Sequence, residues 1–182
     1  IKMASKHPRV DILKPGPGVG GHCIPIDPLF LGHDNDIPTL IETARAVNDG
    51  MAEFVLKLLS AALTDISGAS ISLLGVAYKG GVQDARESPA LEIAQRLEEE
   101  FSVDVRLSDP YLAQGDIERE LLPLKEGITH ADAAILVTDH PEFSALSPAL
   151  FEERMAGRVL VDTRAILDVS RWKRHDFRII KI

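Results

Sequence analysis

From Ser70 onward, short apolar runs alternate with segments that have helical spacing. Strands are predicted over 71–77, 103–107, 133–138, 159–162 and 177–182, with helices over 89–100, 116–122 and 148–156 between them. Runs that are apolar throughout are typical of strands buried on both faces. Strands that alternate with helices are joined by right-handed crossovers, so the predicted fold class is α/β, with a doubly wound parallel sheet.

Upstream of the sheet, the pattern predicts one long amphipathic helix over 39–64. Its apolar residues recur at spacings of three and four, namely Leu40, Ala44, Val47, Met51, Val55, Leu58 and Leu59. A seam of this length, with no small domain of its own to cover it, favours a homodimer formed through helix 39–64. We therefore divide the chain into residues 1–67, with the loop and this helix, and residues 68–182, with the sheet.

A glycine-rich loop precedes the only cysteine, Cys23. Glycine allows positive φ and close backbone approach, and proline fixes φ, so Gly16 to Pro25 predicts a rigid loop with exposed N–H groups and a helix that begins at or just after Cys23. Thiolates are favoured near cationic groups and helix N-termini, which makes Cys23 a candidate nucleophile. A lone cysteine is more often a small buried apolar residue. The glycine spacing matches neither the dinucleotide fingerprint nor the P-loop.

Polar residues follow the predicted strands. Ligands of doubly wound sheets bind beyond the carboxyl ends of the strands. Lysine and arginine at these ends predict an anion pocket, although a solvated loop charge is the common outcome for each one alone. The strand-end residues are Tyr78, Lys79, Gly80 and Gly81 after the first strand, Asp109 after the second, Asp139 and His140 after the third, and Thr163 and Arg164 after the fourth.

Charge and composition limit the partners. The chain has 20 basic and 28 acidic residues and a net charge of −8, which argues against nucleic acid. No apolar run approaches the ~18 residues of a membrane span, so no membrane partner is predicted. A single cysteine excludes an internal disulfide framework and fits a reducing, cytoplasmic compartment. No metal site is predicted.

Three segments resemble the UDP-glucose/GDP-mannose dehydrogenase family. KPGPGVGGHCIPIDP (14–28) is similar to its catalytic-cysteine segment, GVAYKGGVQDARESPAL (75–91) to the start of its nucleotide-binding domain, and VLVDTRAIL (159–167) to its late strand-and-arginine element. The GVGGHC form most closely resembles that of the branch acting on UDP-N-acetylmannosamine. The resemblance implies a Rossmann-like nucleotide-sugar-binding domain over 68–182. It also implies that the family's N-terminal NAD-binding domain is absent from this chain.

The resemblance also implies an activity, namely NAD-dependent oxidation of the C6 alcohol of a UDP-sugar to the uronic acid through a cysteine thiohemiacetal and thioester. The family's general-base lysine lies upstream, so the isolated chain is expected to be inactive. Two alternatives stay open: a non-catalytic dimeric UDP-sugar-binding module, and an unrelated cysteine hydrolase. The implied roles are catalytic for Cys23 and Asp27, substrate-binding for His7, Arg9, Gly20, Tyr78, Lys79 and Arg164, and NAD-binding for Arg86.

Two positions depart from the family pattern. Tyr78 stands where phenylalanine is more usual before the lysine. Gly80 and Gly81 stand where many members have Lys-Asp or Glu-Asn.

Overall fold

The computed structural model describes residues 1, 3–9, 14–32 and 39–182. A short 3-10 helix, Ala4–Lys6, precedes helices α1 (Cys23–Gly32), α2 (Thr39–Asp49) and α3 (Met51–Ala62). The elements that follow alternate: β1 (Ser70–Leu74), α4 (Pro89–Phe101), β2 (Asp104–Ser108), α5 (Leu124–Gly127), β3 (Ala133–Leu136), a 3-10 helix (Pro141–Ala145), α6 (Pro148–Arg154), β4 (Val159–Asp162), α7 (Val169–Lys173) and β5 (Arg178–Lys181).

The five strands form one parallel sheet in the order β2-β1-β3-β4-β5. Leu74 of β1 is aligned with Ser108 of β2 and with Leu136 of β3, and Leu136 is aligned with Asp162 of β4. The carboxyl ends of these four strands therefore lie level at one edge of the sheet. The strand order reverses between β1 and β3, which is the switch point of this topology. The predicted α/β class with a parallel sheet is confirmed.

Each face of the sheet carries its own apolar core, because alternate strand residues point to opposite faces. On one face, Val55 and Leu59 of α3 and Ile93 and Leu97 of α4 pack against the sheet. On the other face, three aromatic rings pack edge to face, with centroids 5.0 to 6.5 Å apart. They are Phe151, Trp172 and Phe177. Helices thus cover both faces, as a doubly wound sheet requires.

The prediction of one helix over 39–64 is wrong. The chain forms two helices, α2 and α3, which are separated at Gly50. The apolar residues of the predicted seam therefore fall into two groups. Val55 and Leu59 of α3 are buried in the sheet's core, whereas Leu40 and Val47 of α2 are exposed. The division of the chain at residue 67 stays a prediction.

Three other differences concern short elements. Residues 116–122 form turns rather than the predicted helix, and Leu121 makes an isolated parallel bridge to Leu107 of the edge strand β2. The five-residue helix α7 was not predicted. β1 ends at Leu74, earlier than predicted, because Gly75 turns the chain with φ of 87°. Among the described residues, no helix combines the length and the apolar character needed to cross a membrane.

Candidate functional site

A cavity of about 540 Å³ lies beyond the carboxyl ends of β1, β3 and β4. Its walls come from the glycine loop with the start of α1, from the segments after β1 and β3, and from Arg164 after β4. The segments after β1 and β3 flank the switch point of the sheet, where ligands of this fold bind. Among the predicted site residues, the cavity brings together Gly20, Cys23, Tyr78, Lys79 and Arg164.

The glycine loop is fastened at two points. The N–H of Val19 donates to Oδ1 of Asn48 on α2 (2.8 Å), and the N–H of Gly21 donates to the carbonyl of Arg86 (3.0 Å). Gly21 has φ of 92°, and a Cβ at this position would lie 2.8 Å from Cε2 of Tyr78. Only glycine fits both this conformation and this contact with the tyrosine ring.

Cys23 is the first residue of α1, as the sequence predicted, and its side chain is exposed at the cavity. Its Sγ lies 3.7 Å from Nδ1 of His22. The positive end of the helix dipole is directed at this position. Its exposure excludes the alternative that Cys23 is an ordinary buried apolar residue. An accessible sulfur at the wall of a cavity can reach an electrophilic carbon of a bound ligand.

Three cationic side chains line the cavity: Lys14, Lys79 and Arg164. Arg164 is fixed by its Nε, which donates to the carbonyl of Val137 (2.7 Å). Its terminal nitrogens have no hydrogen-bond partner within the described part of the chain. Burial lowers the pKa of Arg164 below its usual value, and the neighbouring carboxylate of Asp139 partly offsets this effect. A partly desolvated guanidinium with free donors is suited to a diphosphate.

The other four predicted residues do not line the cavity. His7 and Arg9 are exposed, and the backbone N–H of Arg9 donates to Nδ1 of His7 (3.2 Å). Asp27 is exposed on α1. Arg86 is exposed and forms an ion pair of 2.6 Å with Asp84. The hydrogen bond from Arg86 lowers the pKa of Asp84, and the same bond raises the pKa of Arg86.

Two residues of the site were not predicted. Lys14 lines the cavity, but nothing in the sequence distinguishes it from a solvated lysine beside a proline. Asn48 holds the glycine loop from α2, 29 residues away in the chain. Asn48 could have been noticed because it is a polar residue on the half-buried side of the predicted helix. In the described ranges, no group of three or more His, Cys, Asp or Glu side chains is arranged to hold a metal ion.

The fold and the cavity define a class: an α/β protein with a cavity lined by cationic side chains at the switch point of a parallel sheet. Residues 72–169 match the UDP binding domain of the UDP-glucose/GDP-mannose dehydrogenase family, and residues 1–50 match the central domain of that family. The chain belongs to this family.

Similar proteins agree with this assignment. A UDP-N-acetyl-D-mannosamine dehydrogenase from Methanococcus vannielii is 37% identical over 98% of this chain and 42% of that protein. The structure of UDP-D-ManNAc dehydrogenase from Pyrococcus horikoshii has a TM-score of 0.79 and 35% identity, covering 100% of this chain and 43% of that one. An NDP-N-acetyl-D-galactosaminuronic acid dehydrogenase from Methanosarcina mazei Go1 has a TM-score of 0.86 and 25% identity, covering 94% and 39%. The chain thus spans less than half the length of these relatives.

Proposed function

We propose that this chain is the part of an NAD-dependent nucleotide-sugar 6-dehydrogenase that binds the nucleotide sugar and carries the nucleophile. The proposed substrate is a UDP-sugar, with UDP-N-acetylmannosamine as the first candidate because relatives in several organisms bear its name. The observation that supports this function most directly is one cavity that holds both the exposed sulfur of Cys23 and three cationic side chains. The proposed compartment is the cytoplasm, on the strength of the single cysteine.

In this proposal the diphosphate binds between Lys79, Arg164 and Lys14. Arg164 offers two nitrogens, unpaired within the described ranges, from a fixed position, whereas the two lysines are exposed point charges that adapt to the ligand. Tyr78, which packs on Gly21, borders the same space. The backbone of Gly20 forms part of the wall beside Cys23. His7 and Arg9 would contact the ligand from outside this cavity.

The proposed role of Cys23 is covalent catalysis. Its sulfur adds to the C6 aldehyde carbon to form a C–S bond, and loss of a hydride from the resulting thiohemiacetal leaves a thioester. Water then cleaves the C–S bond, releasing the carboxylate and the thiol. Asp27, one turn further along α1, is proposed to orient this water. NAD, when bound, would take up the hydride released in each of the two oxidations. Arg86 would hold a cofactor phosphate with its exposed guanidinium, which would have to exchange part of its contact with Asp84 for that phosphate.

The proposed partner is a second copy of the chain. Leu40 and Val47 on α2 are 82% and 64% exposed. Phe30 on α1 is 74% exposed and Phe54 on α3 is 44% exposed. Exposed apolar residues on three consecutive helices are typical of a protein interface.

The function is tested by separating binding from chemistry. We expect the 182-residue chain to bind UDP without turnover, and the full-length protein to form NADH with UDP-N-acetylmannosamine. In the full-length protein, Cys23→Ser should abolish turnover and leave the UDP dissociation constant unchanged, because the serine keeps the cavity but is a weak nucleophile. Lys79→Ala should weaken UDP binding about tenfold, since it removes one charge-assisted contact.

The control is Lys57→Ala, which removes an exposed cation from α3. Calorimetry measures UDP binding, and absorbance measures NADH. A chain that does not bind UDP would contradict the proposed function. UDP binding by a full-length protein that forms no NADH with any nucleotide sugar would favour the non-catalytic binding module.

A further inference from the structure

A buried acid–imidazole pair lies beside the loop that carries three of the cavity residues, Tyr78, Lys79 and Gly80. The side chains of Asp109 and His140 are both inaccessible to solvent, and Nε2 of His140 lies 3.0 Å from Oδ2 of Asp109. We propose that His140 is a positioning residue, which holds the backbone of Gly81 and thereby fixes Tyr78 and Lys79 for diphosphate binding. This inference rests on the proposed function.

Asp109 anchors the pair at the end of β2. Its Oδ2 accepts hydrogen bonds from the N–H groups of Val76 (2.6 Å) and Ala77 (2.9 Å), which connect β1 to the loop. Its Oδ1 accepts from the N–H groups of Tyr111 and Leu112. Burial alone would raise the pKa of Asp109, but the hydrogen bonds from His140 and from backbone N–H groups outweigh burial and hold that pKa well below its usual value. The carboxylate is therefore ionised and acts only as an acceptor.

The hydrogen bonds define one tautomer of His140. Because ionised Asp109 can only accept, Nε2 must carry the hydrogen that it donates. Nδ1 accepts from the N–H of Gly81 (3.2 Å), so Nδ1 carries no hydrogen in this arrangement. Each ring nitrogen thus has one function: Nε2 binds the anchor and Nδ1 binds the loop.

The orientation of the ring is fixed by its neighbours. The ring of Tyr111 stacks on His140 with centroids 4.8 Å apart and planes at 13°. Phe143 packs against it edge to face at 5.3 Å. The loop after β1 packs closely on the segment that carries His140, since a Cβ on Gly80 would collide with the backbone carbonyl of Asp139. Gly80 and Gly81, the departure from the family pattern, thus both contact the segment after β3.

Loss of the Nδ1 contact would affect the cavity more than the fold. Lys79 is exposed, and the next contact that fixes the start of the loop is the hydrogen bond from the N–H of Tyr78 to the carbonyl of Asp84 (2.9 Å). Without Gly81 held by His140, residues 79–83 gain freedom that diphosphate binding must remove. A binding group that loses its preorganisation loses affinity.

Two amide variants separate the two nitrogens. In His140→Gln, the amide replaces Nε2 as a donor to Asp109 but provides no acceptor at the Nδ1 position. In His140→Asn, the carbonyl oxygen replaces Nδ1 as the acceptor for Gly81 but leaves Asp109 without its donor. We expect the Gln variant to bind UDP about tenfold more weakly than the wild type with little change in Tm, because a free loop must be ordered on binding. We expect the Asn variant to keep UDP affinity within about threefold and to lose Tm, because a buried carboxylate loses its partner.

Calorimetry with UDP and thermal unfolding provide these readouts, and the rate of trypsin cleavage after Lys79 reports the loop directly. Faster cleavage in the Gln variant than in the Asn variant is expected. If the Asn variant does not fold, the Gln variant alone decides, by its affinity and its cleavage rate at unchanged Tm. The positioning role would be overturned if UDP affinity decreased in proportion to Tm across the variants. It would also be overturned if the Gln variant equalled the wild type in UDP affinity and in the rate of trypsin cleavage. A wild type that does not bind UDP contradicts the proposed function instead, and the cleavage rates still test the loop.

Discussion

Buried carboxylates at two strand ends shape the loops of the cavity. Asp109 accepts four backbone N–H groups at the end of β2. Asp162, also inaccessible, accepts from the N–H groups of Arg164 (3.2 Å) and Leu167 (2.9 Å) at the end of β4. Nζ of Lys181 lies 3.8 Å from the Asp162 carboxylate. The loops that line the cavity are thus held by charged groups that do not themselves line it.

Asp109→Asn should change the dependence of stability on pH. The folded-state pKa of Asp109 is lowered, so its stabilisation is fully present above the unfolded-state pKa of about 4 and declines as the pH falls below that value. The wild type should therefore lose stability more steeply below about pH 4 than the variant. At pH 7 the variant should be less stable by about 2 kcal/mol or more, because a buried network loses a charged acceptor. Urea unfolding across this pH range measures both effects.

The control for the loss of one negative charge is Glu118→Gln, at an exposed position. It should leave the free energy of unfolding and its pH dependence nearly unchanged. Equal acid sensitivity of the wild type and Asp109→Asn would show that the carboxylate contributes no such stabilisation.

The sequence could predict the edge on which these residues lie but not which of them pair. The alternation of strands and helices implies parallel strands, and parallel strands bring Asp109 and His140 to the same edge. Their pairing depends on strand order, because β2 and β3 flank β1 and the pair closes over the end of β1. Alternation alone does not determine that order.

At the scale of elements, α4 begins where the cavity loop ends. Ser88 is the N-cap, and its Oγ accepts from the N–H of Ala90 (3.3 Å), with Pro89 at the first position of the helix. A serine cap followed by proline at the first helical position is a common helix start. The cap is buried, so this hydrogen bond is shielded from water.

Ser88→Ala should lower the free energy of unfolding by about 1 kcal/mol, because the first turn of α4 loses its capping acceptor. Ser88→Thr retains a hydroxyl and should recover most of this loss. The matched control is Ser67→Ala, which removes an exposed hydroxyl outside any helix. Urea unfolding at neutral pH compares the three variants. Equal stability of the wild type and Ser88→Ala would show that the cap contributes nothing to the free energy of unfolding.

The elements that the sequence did not predict have local causes. Periodicity continues across Gly50, since Val47 and Met51 keep a helical spacing, yet the chain ends one helix and begins another there. α7 has only five residues, too few for a periodic pattern, although Asp168 caps it by accepting from Ser170 and was a usable signal. In residues 116–122, the apolar spacing of Ile117 and Leu121 reflects packing at the edge of the sheet rather than a helix.

At the scale of the whole molecule, α1 and α2 carry exposed apolar residues that no other described part of the chain covers. In Leu40→Glu/Val47→Glu, two charges replace two exposed apolar residues, and burial of these charges in an interface would be unfavourable. We expect the wild type to sediment as a dimer at micromolar concentration and this variant to sediment as a monomer with unchanged Tm. Met3→Glu, at an exposed apolar residue outside α2, should remain dimeric. A monomeric wild type would contradict the proposed homodimer.

The two attachments of the glycine loop have a mechanical consequence. Asn48 holds it on a helix with an exposed apolar face, and the carbonyl of Arg86 holds it on the segment that follows β1. Any tilt of α2 against the sheet would therefore change the position of the loop that carries Cys23 relative to Lys79 and Arg164. If α2 contacts a neighbouring subunit, that contact would determine how far the Cys23 sulfur lies from Lys79 and Arg164. Dimer formation would then affect the cavity even though the second subunit contributes no residue to it.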